Sequence, residues 1–437
     1  MNTRLRKIWD TLRSSLWFVP AVMSVGAVAL AIVMVAVDRM WGADAFAKLD
    51  VVYGGGADGA REVLSAIASS MITVAGVTFS ITIVALTLAA QQYGPRLLGS
   101  FLRDTGNQVV LETFVATFLY CLLVLRTIRG GDGGSFVPQL SVTVGVVLAL
   151  GSLAILIYFI HHVSMSIQAS YVIAAVGKDL AGAIDRLFPD RIGNEQRDER
   201  PPPDALPEEW AQVGVIGTGY VQAIDGDELI ALAEQRDLLV RLQCHPGDFV
   251  TDGTPIASVA PPKRVDDAVE RGLRRVVIVG RERTIFQDVG FAIDQLVEVA
   301  LRALSPSIND PFTAASCIDH LGAGLCRLAG RAIPSPYRYH DGRLRVIAPR
   351  FEVADAIARA FDQIREAARR NTAVMVRLLK TLRDVGAAVR GVDARAAVLR
   401  QAEMVERASR QSIDVEGDRE RLAEEYRAVL AELSWGS

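Results

Sequence analysis

From Val63 to Tyr93 the chain runs for 31 residues without a charged side chain. As a helix rising about 1.5 Å per residue, such a run exceeds the roughly 30 Å of hydrocarbon in a bilayer. In lipid a single segment can satisfy its own backbone polar groups only as a helix. Overall composition agrees with a membrane setting: apolar residues make up 51% of the chain and concentrate before about residue 163. The run is not uniformly greasy. Ser69, Thr73, Gly76, Ser80 and Thr87 follow one another at steps of four, three, four and seven, which places them on one helical face. A spanning helix turns such a small, hydroxylated stripe towards protein or water, so these residues are candidates to line a pore at the centre of an assembly. Close helix packing explains the same stripe. The helix is expected to stop at Gln91-Gln92-Tyr93-Gly94-Pro95.

Three further apolar runs complete a transmembrane domain over residues 1–163, with spans at about 16–37, 64–90, 109–125 and 140–162. The first is longer than the 7–15 residues of a cleaved signal core. It follows a basic start, Arg4, Arg6, Lys7 and Arg13, which places the N-terminus in the cytoplasm. Arg96 and Arg103 then fall inside as well, whereas Arg126 and Arg129 in the outer loop run against the charge rule. Glu112 sits at the entry to the third span. There a carboxylate attracts cations near an inner pore mouth, or pairs with Arg96 or Arg103 at headgroup level. Tyr53-Gly54-Gly55-Gly56 reads as a connector. His161-His162 point about 100° apart on a helix, a poor metal clamp.

With four spans, the rest of the chain lies in the cytoplasm together with the C-terminus. Residues up to Val176 carry eleven Lys/Arg and nine Asp/Glu out of 47 and 50 in total, which leaves 36 against 41 beyond. That acidic balance excludes a nucleic-acid-binding tail. Cys121, Cys244, Cys317 and Cys326 include no C-x-x-C pair, so neither a disulfide framework nor a zinc site is expected. A helix and Pro-rich linker are expected over 164–210, a β-rich module over 211–262 and a mostly helical domain over 263–437. In the β-rich part, Asp225-Gly226-Asp227 reads as a turn, and PGDFVTDGTPIASV looks like half of a barrel-sandwich hairpin without its modifiable lysine. The fold class is thus an α-helical integral membrane protein with a cytoplasmic α+β region.

In the helical domain, Val289, Ile293, Leu296, Ala300 and Ala303 form a core stripe, with Asp288, Gln295, Glu298 and Arg302 on a face that reads as solvated. Asp294, Glu298 and Arg302 are linked by i,i+4 steps. The turn Ser305–Pro311 lets Asn309 or Asp310 cap the next helix, which carries Asp319 and His320. These seven polar positions, Asp288, Asp294, Glu298, Asn309, Asp310, Asp319 and His320, are the candidates for a cytoplasmic site. A hairpin is expected around His340–Arg343, one long helix over Val353–Val385, and a closing helix pair over 394–409 and 419–433.

The strings VTFSITIVALTLAAQQYGPRLL, VLETFVATFLYCLLVLR and QDVGFAIDQLVEVALRALSPSINDPFTA resemble a bacterial family of predicted membrane proteins catalogued as domain of unknown function 2254. The resemblance covers nearly the whole chain and implies an integral protein of the bacterial cytoplasmic (inner) membrane. It brings no reaction, cofactor or functional residue. No P-loop, H-E-x-x-H or G-x-S-x-G signature occurs, so no enzyme, cofactor or metal site is expected. Two functions remain. One is a homo-oligomeric ion channel, in which hydroxyls and carboxylates set selectivity for inorganic ions. The other is a membrane-anchored sensor or scaffold whose tail binds a ligand or protein partner.

Overall fold

A computed structural model of the chain describes residues 18–41, 53–94, 105–130, 136–188 and 206–434. They form two compact units divided between Tyr171 and Val172. The basic N-terminus, Arg96, Arg103 and the proline-rich linker lie outside the described residues.

The first unit holds four helices long and apolar enough to cross a membrane: α1 (Phe18–Trp41), α2 (Ala57–Tyr93), α3 (Thr105–Leu125) and α4 (Gln139–Ser166). Helix α2 buries a seam dominated by alanine, with Ala60, Ala68, Ala75, Ala85 and Ala89 joined by Leu64, Thr78 and Tyr93. Small residues let helices approach closely where hydrophobicity supplies no drive between them. The same closeness appears at Gly145 of α4, where an added Cβ would stand 2.9 Å from Leu64 Cδ2. Tyr120, Cys121, Val124 and Val142 meet Leu64 in one core cluster; Phe114, Phe159, Ala75 and Ala85 make another. Helix α3 packs against α1, α2 and α4. Its span is 44% buried against 17% for α2, so the first unit is organised around the third span rather than the second.

One tie in this unit is not local. The N-terminus of α4 follows Pro138, which supplies no side-chain cap. The Asp38 carboxylate, from α1, accepts bonds there from Leu140 N (3.0 Å), Ser141 N (2.9 Å) and Ser141 Oγ (2.5 Å). These are the N2 and N3 amides that a capping side chain ordinarily serves.

The second unit continues with α5 (Ala169–Leu187) and then a sheet region: β1 (Ala211–Gly214), β2 (Gly219–Ile224), α6 (Gly226–Gln235), β3 (Leu239–Leu242), β4 (Phe249–Val250), β5 (Pro255–Ala260), α7 (Asp267–Val276) and β6 (Val277–Gly280). Asp225 opens α6 rather than closing a turn, because its carboxylate accepts from Glu228 N. After α8 (Val289–Ala303) and α9 (Pro311–Ala329) comes the hairpin β7 (Tyr337–His340) and β8 (Arg343–Ile347). Strand β8 pairs in parallel with β3, so one sheet runs β1-β5-β3-β8-β7 and a second runs β4-β2-β6. Among the described residues no barrel closes. Leu229, Val240, Val259, Leu273 and Val346 are buried in one core of this region.

The chain ends in α10 (Val353–Ala367), α11 (Thr372–Ala388), α12 (Val392–Ser412) and α13 (Glu416–Ser434). The single long helix expected over Val353–Val385 is broken, since Asn371 turns into an extended conformation and caps α11 through Val374 N. Asparagine competes with the helix backbone and favours caps. Helices α12 and α13 pack as the expected closing pair.

Candidate functional site

The stripe on α2 is present as a surface. Ser69, Thr73, Gly76, Ser80 and Thr87 are all exposed. At about 100° per residue they lie roughly 160° round the helix from the alanine seam. Three of their four hydroxyls are turned back on the helix: Thr73 Oγ1 donates to Ser69 O (2.8 Å), Ser80 Oγ to Gly76 O (2.9 Å) and Thr87 Oγ1 to Ile83 O (2.8 Å). Among the described residues this stripe is therefore not part of the buried seam of α2. Glu112 does not join them. It is buried, and it accepts from Ser24 Oγ of α1 at 2.5 Å.

The second unit gathers a denser polar constellation around the start of α8. Asp288 caps the helix by accepting from Phe291 N at 3.0 Å. Its Oδ2 takes Arg283 Nε at 2.9 Å and Nη2 at 2.6 Å, while Arg283 Nη1 reaches Asp294 Oδ2 at 2.6 Å. Asp294 Oδ1 then takes Arg359 Nε of α10 at 2.7 Å. The guanidinium of Arg283 also stands 5.1 Å from the centre of the Phe291 ring. Asp288 and Gln295 are buried and Glu298 is 21% exposed, which corrects the solvated reading of this face: α9 and α10 pack on α8, and Arg283 and Arg302 pair with Asp288 and Glu298. Burial raises the Asp288 carboxyl above the ordinary carboxylate range, against the pull of Arg283.

This network walls a cavity of about 300 Å³ whose other sides include the His245–Asp248 turn, Phe188, Phe351 and Arg350. The turn is held by Gly247 N donating to Val221 O (2.7 Å) and by His245 N donating to Asp248 Oδ2 (2.7 Å). Phe188 and Phe351 meet at 4.8 Å between ring centres. The loop before α8 is pinned by Gln287, whose amide pairs with both N and O of Ile224 on β2. Gly247 has φ +100, and a Cβ there would stand 2.3 Å from Asp288 Oδ2 and 3.2 Å from Arg283 Nη2. Gly247→Ala should therefore lower stability by about 1–3 kcal/mol through backbone strain and displacement of the ion network. Gly253→Ala is the matched control, with φ +81 and open space around the new methyl. The comparison is the melting midpoint of the second unit in detergent, with Gly247→Ala falling further.

The remaining expected positions have separate partners. Glu298 pairs with Arg302 at 3.5 Å, as the i,i+4 spacing requires. Asn309 takes φ +49, and Asp310 caps α9 by accepting from Phe312 N and Thr313 N, both at 3.1 Å. The Thr313 hydroxyl and the helix amides hold the Asp310 carboxyl below its usual range. Asp319 forms a two-pronged pair with Arg377 of α11. His320 packs against Gly177, where a Cβ would come within 2.3 Å of Nδ1. The sequence singles out neither Arg283 nor Arg359, and it marks His245-Pro246-Gly247-Asp248 only as a turn signal of the β-rich module, not as part of a site. Burial pushes the Cys244 thiol up to about 12, which leaves it a poor nucleophile.

The chain matches, over residues 13–384, the model of a family described as predicted membrane protein, DUF2254. It is 35% identical over 427 residues to uncharacterized proteins of Mycobacterium bovis and Mycobacterium tuberculosis, covering 96% of this chain and 81% of each relative. No solved structure matches it. With a family model spanning most of the sequence and four helices fit to cross a bilayer, the chain belongs to the DUF2254 family of predicted membrane proteins.

Proposed function

We propose that the protein is a homo-oligomeric ion channel of the bacterial cytoplasmic membrane, with both termini and the second unit in the cytoplasm. The observation that carries this reading is the position of the α2 stripe. A face with four hydroxyls and a glycine lies nearly opposite the packing seam of its own bundle, available to a central path between copies. A symmetric ring supplies the aqueous route that four helices alone do not enclose. Hydroxyls already bonded to their own backbone still offer oxygen lone pairs to a passing ion. Purified protein reconstituted in liposomes should pass a small inorganic ion. Thr73→Leu with Ser80→Leu should cut that flux at least about tenfold by replacing polar lining with bulk. Absence of flux for potassium, sodium, protons and chloride, or a monomer in detergent, would overturn the proposal.

A second reading, a membrane-anchored sensor or scaffold, has its own support in the cavity beside α8. Two phenylalanines, three arginines and several carboxylates converge there in a form suited to a small polar ligand. The two readings join if ligand occupancy of that cavity regulates conduction.

A further inference from the structure

We propose that Glu234, His340 and Asp341 form a divalent-metal site with zinc-like ligand preference. This goes beyond the conduction reading and stands or falls without it. Glu234 lies in the last turn of α6, His340 ends β7, and Asp341 begins the two-residue turn into β8. His340 Nε2 stands 3.2 Å from Glu234 Oε2 and 3.8 Å from Asp341 Oδ2. All three donor atoms lie within 4.8 Å of one another. Two ligands bound to zinc at about 2.0–2.2 Å and at a tetrahedral angle are about 3.4 Å apart, so these separations are those of neighbouring positions in one coordination shell.

Charge separates this cluster from the ion pairs around it. The neighbouring arginines are engaged elsewhere: Arg264, Arg343 and Arg345 converge on Asp237, and Arg236 reaches Asp266. Asp237 is accordingly held down to about 2 by hydrogen bonds from Arg345 and Arg264. None of those four arginines bonds Glu234 or Asp341. With a neutral imidazole, the triad therefore carries two negative charges and no guanidinium, and a dication neutralises it. One imidazole nitrogen with two carboxylate oxygens suits zinc, cobalt, nickel or manganese. The triad's exposure leaves further positions to water, as in metal sites with three protein ligands. The bound ion ties α6 to the β7–β8 hairpin, and so braces the parallel β3–β8 pairing that joins the hairpin to its sheet.

The test uses tag-free, full-length protein in detergent, stripped with a chelator and titrated calorimetrically with zinc, then with cobalt for its visible absorption. One equivalent should bind. The unfolding midpoint of the second unit should rise with zinc and return on chelation. His340→Ala should abolish both effects, and Glu234→Gln should weaken binding about tenfold or more. All three side chains are exposed, so the variants should match the parent midpoint in chelator, which separates ligand loss from misfolding. Failure to bind zinc in molar excess would reduce the triad to a surface ion pair and overturn the proposal. Binding unchanged in His340→Ala would also overturn it. Loss in His340→Ala with no weakening in Glu234→Gln would leave a lone surface histidine and overturn the three-ligand site.

Discussion

Replacing Arg283 by methionine should destabilise the second unit by about 3–5 kcal/mol, the usual cost of stripping one partner from a buried ion pair. The side chains of Arg283 and Asp288 are only 15% and 7% exposed, and all three guanidinium nitrogens are in use. Methionine approximates the volume, so the loss is electrostatic rather than a cavity. Without Arg283, Asp288 keeps its bond to Phe291 N but faces a low-dielectric pocket as an uncompensated anion. For a unit of this size the expected fall in melting midpoint is roughly 10 °C.

The sign of the pH dependence identifies the cause. An acid whose folded pKa lies above its unfolded value favours the protonated native state, so stability in that window rises as pH falls. Asp288 is already shifted upward by burial, and loss of Arg283 should push it further. The Arg283→Met defect should therefore be largest near neutrality and shrink on acidification. Asp288→Asn in the same background should restore part of the loss at pH 7. Arg283→Lys should be intermediate, because an ammonium keeps the charge but cannot span Asp288 and Asp294 as a fork does. A deficit below about 1 kcal/mol, or one independent of pH, would remove Arg283 from the centre of this network.

That network also shows what sequence reasoning can and cannot reach here. Four apolar runs are legible because crossing a bilayer is a local demand on some twenty residues. The caps at Asp310 and the closing helix pair are local too. The face of α8 was misread because acids at helical spacing look alike whether water or an arginine lies opposite. Arg283 pairs with Asp288 from the loop just before the helix, and Arg359, the partner of Asp294, stands 65 residues beyond it. The α2 stripe was visible as a period, but a period does not say which way the face points. The seam opposite is built from alanines, whose weak hydrophobic signal hid the packing side. The hairpin at 337–347 was foreseen, whereas its parallel pairing with β3 rests on a register set a hundred residues apart.

Asp38→Ala should cost the membrane unit about 2–4 kcal/mol, and the reason again lies outside local sequence. The α4 start has no capping side chain of its own, so its amides at Leu140 and Ser141 depend on a carboxylate delivered by α1. Truncation leaves two helix amides and the Ser141 hydroxyl without that acceptor. Each unsatisfied donor costs about 1–3 kcal/mol where water cannot replace the partner, and partial hydration at the helix end brings the sum down. The carboxylate also complements the positive end of the α4 dipole, a contribution that an amide does not reproduce. Asp38→Asn should therefore keep one acceptor and lose about half as much as Asp38→Ala. The measurement is the detergent or heat resistance of the first unit, read by protection of its core cysteine, Cys121, from a thiol reagent. Cys121 is fully buried between α2, α3 and α4, so labelling reports opening of that bundle. If Asp38→Ala labels no faster than the parent protein, α4 is held by its packing at Gly145 and Val142, and the carboxylate from α1 is dispensable.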